Sequence, residues 1–115
     1  MRLSDEQIER RMYELRGTAK AYAKAKAEYE YLEDFKKSKL AMLMKDAEVA
    51  GFATAAAQER EARANPDYIV VLQGLRAANE QAEVLKRELW LAELGAEIWR
   101  TNESSRRIEM KGYGI

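Results

Sequence analysis

From Tyr68 to Trp99 the apolar residues fall at alternating steps of three and four without a miss: Tyr68, Val71, Leu75, Ala78, Ala82, Leu85, Leu89, Ala92, Ala96 and Trp99. A helix turns once per ~3.6 residues, so this spacing draws one continuous stripe along one helix face. A strand would scatter the same residues over both of its faces. The stripe predicts a coiled-coil-like seam against a partner helix. Beside it runs a second stripe, Val84, Leu91, Leu94 and Ile98, which widens the apolar face toward the C-terminal half. One partner helix cannot cover both stripes, so a third helix or another subunit is expected there. Trp90 lies outside both stripes and is a further contact candidate.

The helix that carries these stripes has a clear start. Asn65 is a favoured N-cap, Pro66 suits the first helical position, and Asp67 suits the positive end of the helix dipole. It is expected over about 66–111, stopped by Gly112 and Gly114. At the other end of the chain, Ser4 followed by Asp5, Glu6 and Gln7 is a capping box. From there Ile8, Met12, Leu15, Ala19 and Tyr22 form a first seam. Lys26 is read as a break, after which Tyr29, Leu32 and Phe35 continue with a drifted phase and Leu40, Leu43, Ala47 and Ala50 close the row. This helix is expected over about 5–49, with Gly17 tolerated inside it and Gly51 as the residue past its end. Thr54 can cap a short Ala-rich helix over about 54–64, which reads as a connector or, alternatively, as a packing surface for a protein partner.

The predicted fold is therefore all-α: one domain over residues 1–115, built as a long antiparallel helical hairpin with a short connecting helix. Lys, Arg, Glu and Ala dominate, charged residues reach 35%, and a single Pro leaves little turn chemistry, which agrees with long helices. With only two Phe and two Trp the seams are thin. Two helices bury little core for this length, so a homo-oligomer is expected, with Leu75, Leu85, Leu89, Leu91, Leu94, Ile98 and Trp99 as interface candidates.

Several function classes drop out. The chain has no Cys and no His, which removes thiol nucleophiles, imidazole bases, thiolate and imidazole metal ligands, and the Glu-x-x-His di-metal pattern of helical bundles. Acid pairs such as Glu33–Asp34, or Glu28 with Glu30, stand on helix surfaces without a companion group. There is no glycine-rich phosphate loop. A non-enzymatic protein with no cofactor and no metal is expected. No apolar run reaches membrane-spanning length, and MRLSDEQIERR lacks the apolar core of a signal peptide, so a cytoplasmic location is expected.

Net charge is zero, but it is unevenly spread: residues 1–47 carry 11 Lys/Arg against 9 Asp/Glu, residues 48–99 carry 5 against 9, and residues 100–115 carry 4 against 2. Two basic clusters stand out. Lys36, Lys37, Lys39 and Lys45 follow Tyr29, Tyr31 and Phe35. Lysines beside rings suit single-stranded nucleic acid, where charge tracks the backbone and rings stack on bases. The plain alternative is that the lysines solvate an exposed face while the rings fill a seam. Arg100, Arg106, Arg107 and Lys111 form the second cluster and the second nucleic-acid-binding candidate. Cations in the last turns relieve the negative end of the helix dipole without any ligand. In an antiparallel hairpin, though, they come beside Arg10, Arg11, Arg16 and Lys20, with Glu6, Glu9, Glu14, Glu103 and Glu109 interleaved.

KKSKLAMLMK at the end of the first helix, the Gly break, AAAQEREARA, NPDY opening a long helix and the closing AEIWRTNESSRRIEMKGYG together resemble the small phage proteins related to UvsY, the recombination mediator of T-even phages. The likeness covers roughly two-thirds of the chain, and Trp-Arg followed by Ser-Ser-Arg-Arg carries most of it. It implies an all-α oligomer that binds single-stranded DNA and assists loading of a RecA-like recombinase, in the cytoplasm of an infected bacterial host. It also implies DNA contacts late in the first helix, at Lys36, Lys37, Lys39 and Lys45. The zero net charge departs from that family and requires segregated charge for DNA binding. From the residues alone, a helical protein-interaction module stays open: an adaptor, an assembly chaperone or a phage inhibitor of a host defence complex. A purely structural coiled coil is the residual reading.

Overall fold

The computed structural model describes residues 3–112. It consists of α1 (Asp5–Val49), α2 (Ala55–Ala64) and α3 (Pro66–Gly112), with no strand among the described residues. The architecture is an all-α hairpin whose two long helices pack against each other. Gly114, read from the sequence as part of the helix stop, lies outside the described residues.

Each helix end follows from local chemistry. The Ser4 N–H donates to Gln7 Oε1 at 2.8 Å and the Gln7 N–H donates to Ser4 Oγ at 3.2 Å, a reciprocal capping box. Thr54 Oγ1 accepts from the Ala57 N–H at 3.2 Å and caps α2. Asn65 ends α2, its N–H bonding to Ala62 O, and starts α3, its Oδ1 accepting from the Asp67 N–H at 2.8 Å. The end of α1 is a Schellman motif: the Phe52 N–H donates to Ala47 O and the Gly51 N–H to Glu48 O, both at 3.1 Å. That geometry puts Gly51 at φ 109°. Phe52 O in turn accepts from Gln58 Nε2 at 2.9 Å, tying the connector to α2.

The glycines therefore predict opposite outcomes. At Gly51 an added Cβ meets no neighbour, but the positive φ penalises any L side chain, so Gly51→Ala should lower stability by about 1–2 kcal/mol. Gly17 and Gly74 sit in helix interiors with open space around the missing Cβ. Gly17→Ala and Gly74→Ala should each raise stability by about 0.5–1 kcal/mol. Chemical denaturation of the three variants reads both signs.

The chain divides into two compact units: a central unit, Ala23–Glu83, and a terminal unit, Met1–Tyr22 with Val84–Ile115. In the central unit Leu43 of α1, Ala62 of α2 and Tyr68 of α3 form a buried cluster, with Leu40 and Met44 packed on it. Ala47 and Ala82 are also buried. In the terminal unit no described residue is buried. Ile8, Leu15, Ala19 and Tyr22 of α1, with Leu85, Leu89, Ala96 and Trp99 of α3, are half-buried at most.

The seam of α3 follows the three–four spacing, every member being buried or half-buried except Ala92. On α1 the row differs from the expected one. Ala25 is half-buried between Tyr22 and Tyr29 while Lys26 is exposed, so steps of three and four pass through Ala25 and the seam does not break there. Met12 and Ala50 are exposed, the latter because it lies in the Schellman turn. Thr18 is half-buried, its hydroxyl satisfied by Glu14 O at 3.0 Å.

Candidate nucleic-acid interface

The lysine strip lies on the second half of α1, in the central unit. Tyr31, Phe35 and Lys39 stand at four-residue steps and so occupy one row of the helix. The rings of Tyr31 and Phe35 stack at 6.0 Å between centroids and 17° between planes. Tyr31 remains 61% exposed with Phe35 against it. Lys36 and Lys39 are half-buried, whereas Lys37 and Lys45 are exposed. A half-buried lysine lays its methylene stem on apolar neighbours and keeps the ammonium in water. The four lysines are thus not equivalent: two double as packing residues and two are free of that duty.

The acids within four residues of these lysines along α1 are Glu33, Asp34, Asp46 and Glu48. Glu33 is engaged by Tyr29, whose hydroxyl donates to Glu33 Oε1 at 2.6 Å. That bond first, then desolvation and the charges of Glu33 and Glu83, hold the Tyr29 hydroxyl above the ordinary phenol value. Among the described residues the ion pairs within 4.0 Å are Arg63–Glu59 and Arg106–Glu103, neither of which involves the lysine strip.

The tail cluster is more divided than its sequence suggests. Arg100 is exposed and lines a groove that Arg11 also lines, so two basic residues from opposite chain ends border one groove. Arg107 and Lys111 are exposed. Arg106 is half-buried and pairs with Glu103 at 2.7 Å. Glu103 and Arg106 continue the α3 seam by steps of four and three past Trp99, so this ion pair occupies the row that leucines and alanines hold earlier. Arg106 Nε is buried without a hydrogen-bond partner. A partly exposed pair of this kind is worth little stability, ~1 kcal/mol or less.

The same groove, of about 670 Å³, was not apparent from the sequence. Ile8, Met12 and Leu15 of α1 face Leu91 and Trp99 of α3 across it, and Ala92, Gly95 and Ala96 supply the small residues of the α3 wall. Those three residues are too small to fill the space. A run of small residues where a seam calls for bulk was the available signal. Of the interface candidates, Leu75, Leu85, Leu89 and Trp99 are half-buried on the α3 seam, while Leu91, Leu94 and Ile98 are exposed.

Among the described residues no group of three or more acids gathers where a metal ion would be held. Among those residues, too, no helix is long and apolar enough to cross a membrane. Compared with known proteins, the chain matches no protein-family model, no curated protein and no solved structure.

Proposed function

We propose that this protein is a non-enzymatic accessory of phage recombination, working in the cytoplasm of the infected host. In this reading it binds single-stranded DNA, self-associates through its helices and assists loading of a RecA-like recombinase. The observation that carries the reading is the row of Tyr31, Phe35 and Lys39 on α1, where the exposed Tyr31 ring shares one helix face with a lysine, while Lys36, Lys37 and Lys45 stand on other rows of the same stretch of helix. Rings offer a stacking surface to any base, and the lysines offer charge to the backbone that links them. The rest of the molecule carries acids that balance these cations, so the charge that matters is local rather than net.

Salt dependence tests it. Each phosphate neutralised on a single strand contributes a slope of about −0.7 to the log–log plot of affinity against salt. Four lysine contacts predict that affinity for a labelled oligonucleotide falls about 50-fold between about 50 and about 200 mM salt. Fluorescence anisotropy measures this directly, and absent or salt-insensitive binding overturns the proposal.

The exposed stripe of Val84, Leu91, Leu94 and Ile98, with Trp90 beside it, favours a second reading as a helical protein-interaction module. A defined complex with one protein, together with no affinity for oligonucleotides, would select that reading.

A further inference from the structure

We infer that the apolar groove of the terminal unit is the docking surface for a second copy of this chain, related to the first by a two-fold axis. This deepens the self-association in the proposed function and rests on that part of it alone, not on DNA binding.

The first support is where burial is missing. Among the described residues every buried one belongs to the central unit and the terminal unit has none. Yet the terminal unit carries a row of exposed apolar residues. Leu91 is 59% exposed and Ile98 52% exposed, and Met12 and Leu94 are exposed as well. Leu91 and Met12 line the groove, which small residues on α3 keep open.

The chain as a whole has surface to give to a second copy. The chain exposes 9219 Å² of surface at a mass of 13.2 kDa. A folded monomer of that mass is expected to expose about 6400 Å², which leaves an excess of about 2800 Å². Stable homodimers bury about 2000–5000 Å² in total, so an interface removing 1000–1500 Å² from each copy draws on surface of the amount this chain has in excess.

The charges at the groove select the partner. Arg11 and Arg100 share its lining with Glu14 and Glu93. An acidic or basic partner would match half of these charges and be repelled by the other half. A two-fold related copy carries both signs in equal number, so a rotation can set each cation toward an anion of the other chain. The central apolar patch and balanced rim are the anatomy of a self-complementary interface.

The test is mass in solution by sedimentation over a range of concentrations, with three variants. Leu91→Glu places a charge in the contact of each copy. An effect of about 30-fold per copy, felt twice, raises the dimer Kd about 1000-fold. Ala92→Phe fills the groove without adding charge. It should abolish dimerisation while far-UV circular dichroism keeps its helical signal, which separates blocked docking from failed folding. Val70→Glu changes a residue that is 64% exposed in the central unit and should leave the dimer intact. Wild-type protein that stays monomeric at all concentrations overturns the self-association reading, and this inference with it. Wild-type protein that assembles while Leu91→Glu and Ala92→Phe assemble equally well overturns the groove as the interface and leaves self-association standing.

Discussion

Tyr68→Ala should lower the stability of the protein by about 3–5 kcal/mol, the range for truncating a buried aromatic. Tyr68 is 4% exposed and is the one aromatic residue at that level of burial among those described. Its ring closes the cluster that brings three helices together, with Leu43 from α1 and Ala62 from α2. Ala62, 1% exposed, is the only residue that α2 buries. Removing the ring leaves a cavity against Ala62 and Leu43, and with it the contact that seats α2. Tyr68→Phe keeps the ring and should stay within about 1 kcal/mol of the wild type. Leu91→Ala, at an exposed site, should change the dilute protein by no more than about 0.5 kcal/mol. The comparison is made by denaturant unfolding at one fixed protein concentration, because assembly would add a concentration-dependent contribution to stability. A Tyr68→Ala midpoint equal to that of wild type would mean that the three-helix cluster does not hold the central unit.

That contrast between Tyr68 and Leu91 also marks where sequence reading succeeds and where it stops. The α3 seam was legible because its period is set by one helix alone: Tyr68 through Trp99 repeat at steps that only a helix face can gather. Helix ends were legible for a similar reason. Ser4, Gly51, Thr54 and Asn65 act through hydrogen bonds to residues within six positions. The passage of the α1 seam through Ala25 was less so, because an Ala contributes little apolar contrast and the neighbouring Lys26 suggests a break. What one helix cannot reveal is what faces it. Leu43 on the α1 seam and Leu91 on the second stripe of α3 are the same residue type, yet one is buried and the other open. The difference lies in what faces each: Leu43 packs with Ala62 of α2 and Tyr68 of α3, whereas Leu91 stands beside the seam and opens on the groove. The candidate site was legible as a cluster of lysines and rings, but not in its division of labour. Half-burial of Lys36 and Lys39 depends on where their stems lie, and the Arg106–Glu103 pair depends on a seam row that runs on after its apolar residues end.

This division decides how the DNA reading should be tested at the level of residues. Lys37 and Lys45 are exposed, so Lys37→Glu with Lys45→Glu changes charge without disturbing packing. Lys36 and Lys39 are half-buried, so replacement by Glu would confuse lost binding with lost stability. Lys36→Gln and Lys39→Gln keep most of each stem and remove only the charge. Each lysine lost should make the salt slope shallower by about 0.7, and the double reversal at 37 and 45 should weaken binding about 100-fold at low salt through lost contacts and added repulsion. Arg106→Gln should matter least among the tail cations, since that guanidinium is already committed to Glu103. Tyr31→Ala should behave differently from all of these. Stacking releases no counterions, so its loss removes about 1–3 kcal/mol of binding while leaving the salt slope unchanged. A lysine set that alters the slope and a ring that alters only the affinity would place both on one strand. A ring variant that shifts neither would reduce the strip to electrostatics and remove the stacking half of the proposal.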